Sequence, residues 1–251
     1  MLNIFKKKQS DEIYNIMYTH SDYSDIWPLY FAQTKKYFNL NIKNVVFCDK
    51  TSDKIPKDYK VITYQDSKTY PQRLMECFDK LNSKYCIFSH EDMFLYDTPK
   101  KDTLEKYINA IKENKYDFIR LIKGGDCISI ESDVDTTLFE LDLKSNWIFS
   151  IQPSIWKVNS LLKILKKHKK TNIWELEEKS QKTCKKLKIR GAYSFDSGEK
   201  RGLLHYDNRV FPYIATAIVK GKWNIVEYKD ILSDILNEHN IDYKIRGELE
   251  L

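Results

Sequence analysis

The segment YCIFSHEDMFLYD, residues 85–97, joins an apolar run directly to a histidine and two adjacent carboxylates. The run ends at His90-Glu91-Asp92, and the apolar triplet 93–95 follows at once. Burying two carboxylates in such a context costs free energy unless another group compensates their charge. A divalent cation that also binds diphosphate oxygens would compensate it, because hard cations prefer oxygen ligands. The residues therefore indicate a metal or nucleotide site, with a solvated acidic turn as the alternative.

Short apolar runs alternate with helical periodicity on both sides of this segment. Strands are predicted at 13–18, 44–48, 60–64, 84–89 and 117–122, and helices at 26–38, 71–81 and 102–114. This alternation is typical of parallel crossover units, in which ligands bind at the carboxyl ends of the strands. The second half of the chain predicts short strands within 138–156, basic helices at 159–168 and 173–188, a loop at 190–210, a strand at 211–220 and a helix at 230–239.

The charge of the chain is concentrated in one segment. The 251 residues carry 42 Lys+Arg against 36 Asp+Glu, a formal net charge of +6. Residues 157–190 hold eleven lysines and Arg190 against three glutamates, a charge of +9 that leaves −3 for the remainder. Such a segment attracts phosphates, nucleic acid or an anionic membrane surface, and the alternative is a solvated helix face.

Composition excludes two classes of protein. A hydrophobic content of 42% with 14% aromatic residues is incompatible with a disordered chain. No apolar run approaches the ~18 residues of a transmembrane helix. The five cysteines form no CxxC pair, and the first residues contain no apolar stretch typical of a signal peptide. We therefore expect a cytoplasmic protein with one domain.

The alternating half that ends in an acidic pair resembles the nucleotide-sugar half of the GT-A glycosyltransferases. In that superfamily an Asp-x-Asp motif ends the fourth strand and holds a divalent metal with the sugar nucleotide. Here His90-Glu91-Asp92 is a degenerate form, in which Asp92 matches the last position and Glu91 the middle one. The resemblance implies an α/β, Rossmann-like fold with a mixed, mainly parallel central sheet flanked by helices. It also implies Mn²⁺ or Mg²⁺ at Glu91 and Asp92.

The same resemblance implies a division of labour along a single domain, 1–251. The donor half covers about 13–125, the acceptor half about 126–225, and a C-terminal helix and tail the remainder. The residues expected to bind the nucleotide sugar, besides the acidic pair, are Thr19, His20 and Asp22 after the first strand, Asp49 after the second, and Arg73 in the following helix. Arg73 would pair with Asp92 or with a phosphate.

In the acceptor half, the stretch Trp174-Glu175-Leu176-Glu177 resembles the helix start where inverting GT-A enzymes carry their catalytic base. A sugar hydroxyl is a poor nucleophile, so a positioned carboxylate must take its proton. Glu175 and Glu177 are both candidates, and Glu177 is preferred because Glu175 is placed to compensate the helix dipole. Trp174 and Trp156 would contact the acceptor, and His205 would be a further metal or diphosphate ligand.

The resemblance therefore implies a metal-assisted, inverting transfer of a sugar from a nucleotide-diphospho-sugar, most simply a UDP-sugar. The acceptor would be a hydroxyl of a glycan, a lipid-linked glycan or a protein. One alternative is a nucleotidyltransferase, which would need a glycine-rich basic loop where 19–22 reads Thr-His-Ser-Asp. Another is a nucleic-acid-binding module built on 157–190, for which no known motif is present. We expect no nucleic-acid partner, and the basic segment better fits an anionic acceptor or membrane surface.

Overall fold

The computed structural model describes residues 9–125 and 127–249 of the chain. Within them the first half comprises β1 (Ser10–Tyr18), α1 (Trp27–Tyr37), β2 (Lys43–Cys48), β3 (Lys60–Thr63), α2 (Tyr70–Leu81), β4 (Ser83–His90), α3 (Lys101–Lys112) and β5 (Phe118–Arg120). The second half comprises β6 (Ser129–Glu131), β7 (Leu138–Leu141), β8 (Ser154–Lys157), α4 (Val158–Lys167), α5 (Ile173–Leu187), β9 (Gly191–Ser194), β10 (Lys200–Arg201), β11 (His205–Tyr206), β12 (Ile218–Val219), β13 (Lys222–Trp223), α6 (Ile225–Glu238) and α7 (Tyr243–Arg246).

Nine strands form one sheet in the order β3-β2-β1-β4-β8-β5-β9-β7-β6. The four strands from β3 to β4 are parallel. β8 runs antiparallel between β4 and β5, and β9 is parallel to β5. β7 reverses direction and β6 reverses it again, so only β7 and β8 oppose the rest. This is a mixed, mainly parallel sheet flanked by helices, so the predicted α/β fold class is confirmed.

Apolar side chains cover both faces of the sheet because successive residues of a strand point to opposite sides. In β4, Ile87 joins the cluster that includes α1 and α3 residues, whereas Cys86 and Phe88 join the cluster under α2, α4 and α5. The buried positions of α2 recur with helical spacing, from Leu74 to Leu81. A sheet packed on both faces leaves its strand ends as the accessible edge.

The predicted elements of the first half all occur, with bounds within three residues of those expected. Two predictions in the second half were wrong. Residues 190–210 contain β9, a buried inner strand, rather than only loop. Gly191 opens this strand because a Cβ there would lie 2.4 Å from the Phe118 ring. The strand predicted at 211–220 is instead a short hairpin of β12 and β13.

No helix in the described part of the chain is both long enough and apolar enough to cross a bilayer.

Candidate active site

A cavity of about 1120 Å³ opens where the parallel strands end. Its wall includes His20 after β1, the acidic motif after β4, Arg120 at the end of β5, and Glu177 near the start of α5. Ligands of open α/β sheets bind at this carboxyl edge. The fold thus brings residues predicted for the donor and for the acceptor to one cavity, which Thr19, Asp22, Asp49 and Trp156 do not line.

His90, the first residue of the degenerate motif, belongs to the core as much as to the cavity. It is the last residue of β4, paired with Tyr18 of β1. Its Nε2 lies 2.8 Å from the Tyr70 hydroxyl. Burial lowers the pKa of His90 to about 3, which keeps the imidazole neutral. A neutral ring packed against Tyr18 and Tyr70 accounts for a buried histidine at the end of this strand.

Glu91 and Asp92 are two adjacent carboxylates, of which Glu91 is buried and Asp92 half-buried. Burial raises the pKa of both, and the charge of Asp92 raises that of Glu91 further. The backbone N–H of Ile218 opposes this increase in the pKa of Asp92. Glu91 Oε2 is buried without any hydrogen-bond partner in the described part of the chain. An orphaned carboxylate oxygen beside a second carboxylate fits a hard divalent cation.

The expected three-residue metal set is not assembled. No group of three or more His, Cys, Asp and Glu side chains converges among the described residues. The bridge between His205 and Gly124 ties His205 to the loop after β5 rather than to β4. Burial, and then the charge of Arg120, lower the pKa of His205 to about 4. A cation at Glu91 and Asp92 would therefore take its other ligands from water and from diphosphate oxygens.

The loop after β1 is held in place by two of the predicted donor residues. Asp49 accepts hydrogen bonds from the Ser21 N–H at 2.7 Å and the Ser21 hydroxyl at 2.6 Å. Its side chain is only 2% exposed. The Thr19 hydroxyl accepts from Trp27 Nε1 at 2.7 Å, and this residue is completely buried. Thr19 and Asp49 thus hold the loop after β1 in place through hydrogen bonds. The Asp22 side chain is 83% exposed.

Arg73 lines the cavity but does not pair with Asp92, contrary to one of the two expectations for it. Its guanidinium contacts Asp66, with Nη2 to Oδ1 at 2.6 Å, and donates from Nε to the Lys68 carbonyl at 2.8 Å. His20 Nε2 lies 3.1 Å from the same Asp66 carboxylate. Arg73, Lys68 and His20 therefore form the basic end of the cavity wall.

The two candidate bases have different environments. Glu175 closes the capping box of α5: its carboxylate accepts from the Asn172 N–H at 3.0 Å and from Lys179 at 3.0 Å. Those bonds lower the pKa of Glu175. Glu177 accepts from the Ile151 N–H at 2.5 Å through Oε1, and burial raises its pKa. Its Oε2 makes no hydrogen bond within the described residues, so Glu177 is the better placed proton acceptor.

The two tryptophans assigned to the acceptor occupy opposite environments. Trp174 stands at the cavity rim with 75% of its surface exposed. Trp156 is 2% exposed and stacks on Phe118 with ring centroids 4.5 Å apart. As an inward-facing residue of β8 it belongs to the core, so the structure corrects its assignment to the acceptor.

Sequence reasoning missed several polar residues of the cavity wall, among them Lys68, Arg120, Ser150 and Gln152. Gln152 is oriented by the Tyr213 hydroxyl at 2.9 Å and the Ala215 carbonyl at 3.3 Å. The available signal was Arg120 itself, a cation inside the apolar run 117–122 at the end of a predicted strand.

No family model matches the sequence, and no curated protein matches it. Among solved structures, the chain is similar to TarS 1–349 of S. aureus, with 16% identity and a TM-score of 0.49 over 95% of this chain and 67% of that one. It is also similar to the bifunctional IspDF of Campylobacter jejuni, with 20% identity and a TM-score of 0.42 over 75% of this chain and 50% of that one. A third is the mannosyltransferase PcManGT of Pyrobaculum calidifontis, in complex with GDP-Man and Mn²⁺: 11% identity, TM-score 0.45, 76% of this chain and 58% of that one. The chain thus spans half the length of IspDF, and these likenesses concern the fold alone.

Proposed function

We propose that the protein is a glycosyltransferase that moves a sugar from a nucleotide-diphospho-sugar to an acceptor hydroxyl. The observation that carries this proposal is the pairing of two different carboxylate sites on one cavity wall. Glu91 and Asp92 are adjacent, and Glu91 Oε2 has no hydrogen-bond partner among the described residues. Glu177 lines the same cavity from the first part of α5. The cavity of about 1120 Å³ exceeds the ~300–1,000 Å³ typical of a single small ligand. It has room for a donor together with part of an acceptor.

The donor end would bind the nucleotide and the diphosphate. A divalent cation held by Glu91 and Asp92 would stabilise the negative charge that develops on the departing diphosphate. Arg73, Lys68 and His20 lie on the same wall and would attract the nucleotide phosphates. UDP-sugars are the proposed donors, with Mn²⁺ or Mg²⁺ as the cation.

Glu177 would act as the catalytic base. The acceptor oxygen forms its bond to the anomeric carbon while the bond from that carbon to the diphosphate oxygen breaks. The hydroxyl proton passes to Glu177 Oε2, and the bonding electron pair leaves with the diphosphate. The Ile151 N–H fixes Oε1, which holds the carboxylate in one orientation. A direct displacement of this kind inverts the anomeric configuration.

The acceptor is proposed to be presented at an anionic membrane surface. Trp174, Leu204 and Trp147 line the cavity and are exposed by 75%, 59% and 37%. Beyond this rim, α4, α5 and the adjoining turns expose ten lysines: Lys163, Lys166, Lys167, Lys169, Lys170, Lys179, Lys182, Lys185, Lys186 and Lys188. Exposed aromatic and aliphatic groups beside a lysine-rich surface suit the interface of an acidic bilayer.

Vesicle binding tests the membrane contact. The protein is expected to sediment with phosphatidylcholine vesicles that contain phosphatidylserine, and not with phosphatidylcholine alone, since each lysine near the surface contributes about 1 kcal/mol. Reversal of two charges, Lys166→Glu with Lys167→Glu, should weaken binding about tenfold or more. The matched control reverses two exposed lysines elsewhere, Lys57→Glu with Lys229→Glu. Equal binding to neutral and acidic vesicles would remove the proposal.

A thermal-shift screen tests the donor. UDP-, GDP-, CMP- and dTDP-sugars and nucleoside triphosphates are added with and without Mn²⁺. A ligand at ~100 times its dissociation constant stabilises the fold by about 2.7 kcal/mol, which a melting curve resolves. We expect a UDP-sugar to give the largest shift, and only with Mn²⁺. A shift with triphosphates alone would favour nucleotidyl transfer instead.

A further inference from the structure

Arg120 is a cation buried in the wall of the proposed active site. It ends β5 and is 1% exposed, yet it lines the cavity. Its guanidinium donates to the carbonyls of Ile122 at 3.1 Å and Gly124 at 3.2 Å. It also donates to the Ser150 hydroxyl at 3.2 Å and the Cys127 sulfur at 3.4 Å. None of these four acceptors is a carboxylate.

The other arginines of the chain are paired with carboxylates. Each of the remaining five has a carboxylate within 4.0 Å: Arg73 with Asp66, Arg190 with Asp117, Arg201 with Asp207, Arg209 with Asp196 and Arg246 with Asp25. Arg120 is the most buried of the six and has no such ion pair among the described residues. Its charge does act on Glu177 of the same cavity wall, whose pKa it lowers against the effect of burial. A buried cation without a direct ion pair is costly, so its place in a cavity wall favours a ligand that supplies one.

The geometry leaves one donor for that ligand. An arginine has five N–H groups, and four are used by the acceptors named above. The remaining N–H is on Nη1, the same nitrogen that donates to Ser150. Ser150 also lines the cavity, so a hydroxyl and an N–H stand together at its wall. On its other side the guanidinium faces the Tyr193 ring, 5.9 Å from the centroid, which fixes its plane.

We propose that Arg120 and Ser150 form a subsite for a sugar carboxylate, so that the substrate of this cavity is an acidic sugar of the uronic type. This inference rests on the proposed glycosyltransferase function and names its substrate class. A carboxylate accepts from both the Nη1 N–H and the hydroxyl, and it supplies the direct ion pair that Arg120 lacks. A sugar hydroxyl would accept the hydrogen bond but would leave the cation without that ion pair. The carboxylate belongs either to the donor sugar or to the acceptor sugar.

Matched ligands test this directly. Donor affinities are measured with Mn²⁺ for UDP-glucuronate and UDP-galacturonate against UDP-glucose and UDP-galactose. In a second arm, uronate-containing disaccharides are compared with neutral ones in the presence of UDP and Mn²⁺. Free glucuronate against glucose forms a third arm. The protein is expected to bind the acidic member at least about 30-fold more tightly in one of the first two arms, as for a buried charge pair.

Two variants identify the residue responsible. Arg120→Met should erase the preference for the acidic ligand and leave affinity for the neutral one, whereas Arg120→Lys should retain part of the preference. Arg190→Met makes the same change at an arginine 58% exposed and should keep the full preference. If Arg120→Met does not fold, the ligand comparison in the unaltered protein and Arg120→Lys still decide.

The outcomes separate the two proposals. Binding of nucleotide-sugars without acidic preference in either arm overturns this inference and leaves the glycosyltransferase proposal standing. An acidic preference that survives in Arg120→Met also overturns it. If no nucleotide-sugar binds, the proposed function fails, and the free-glucuronate arm then supports or overturns the subsite by itself.

Discussion

Replacing Asp92 by asparagine is expected to reduce sugar transfer by about 10³-fold while the protein stays folded. Asparagine keeps the shape of the side chain but removes one of the two charges that would hold the cation. Because burial raises the pKa of Asp92, its ionised form destabilises the metal-free fold at neutral pH. The variant should therefore melt no lower than the unaltered protein in the absence of metal. Loss of activity without loss of stability is the expected combination.

The measurement is UDP release from a saturating donor across a Mn²⁺ titration, with a melting curve for each variant. Asp79→Asn is the matched control, since Asp79 is exposed on α2 away from the cavity. Transfer that persists in Asp92→Asn at low Mn²⁺ would take Asp92 out of the site. A shift of the Mn²⁺ requirement to higher concentration with partial rescue would confirm its role as a cation ligand.

Glu177→Gln is the second substitution with a large expected effect. The amide oxygen can still accept the hydrogen bond from the Ile151 N–H, but the side chain can no longer take a proton. General-base catalysis contributes about 10²–10⁴-fold, so kcat should fall by that factor while donor affinity is unchanged. Glu175→Gln is the informative comparison: its amide oxygen can still accept from the Asn172 N–H and keep the capping box of α5, so it should change kcat little. The reverse pattern would move the base to Glu175.

The pH profile follows from the same environment. Burial raises the pKa of Glu177 above the ~4.3 of a free glutamate. Only the ionised form accepts a proton, so kcat should rise with pH until this group has titrated and then level off. The acidic limb measured at saturating Mn²⁺ should report the raised value. In Glu177→Gln that limb should be absent, and a limb that remains unchanged would exclude Glu177 as its source.

The first half of the fold could be predicted from the sequence because its signals are local. The apolar run 84–89 is followed by His90 and two carboxylates. This pattern predicts a buried strand and also indicates which end of the strand is accessible to a ligand. The choice between Glu175 and Glu177 was also local, since a first-turn position favours capping. These inferences needed only periodicity and helix geometry.

The remainder depended on contacts between distant segments. Gly191 opens a strand because of the ring of Phe118, which no local pattern reveals. Trp156 lies in the core because β8 inserts between β4 and β5, a pairing that the local sequence does not indicate. Arg73 forms an ion pair with Asp66 rather than with Asp92 because the turn after β3 approaches α2. The role of Arg120 also depends on the fold, which buries it without a carboxylate in ion-pair distance among the described residues.

The buried pair Glu91 and Asp92 has a thermodynamic consequence beyond ligation. Because burial raises the pKa of both carboxyls, the metal-free pair retains protons at a pH where free carboxyls have lost them. A cation bound by the ionised oxygens would have to expel those protons. Linkage would then make the apparent affinity for the cation rise with pH, and a fall in pH would release it. The acidic motif would thus exchange protons for metal, coupling donor loading to the acidity of its surroundings.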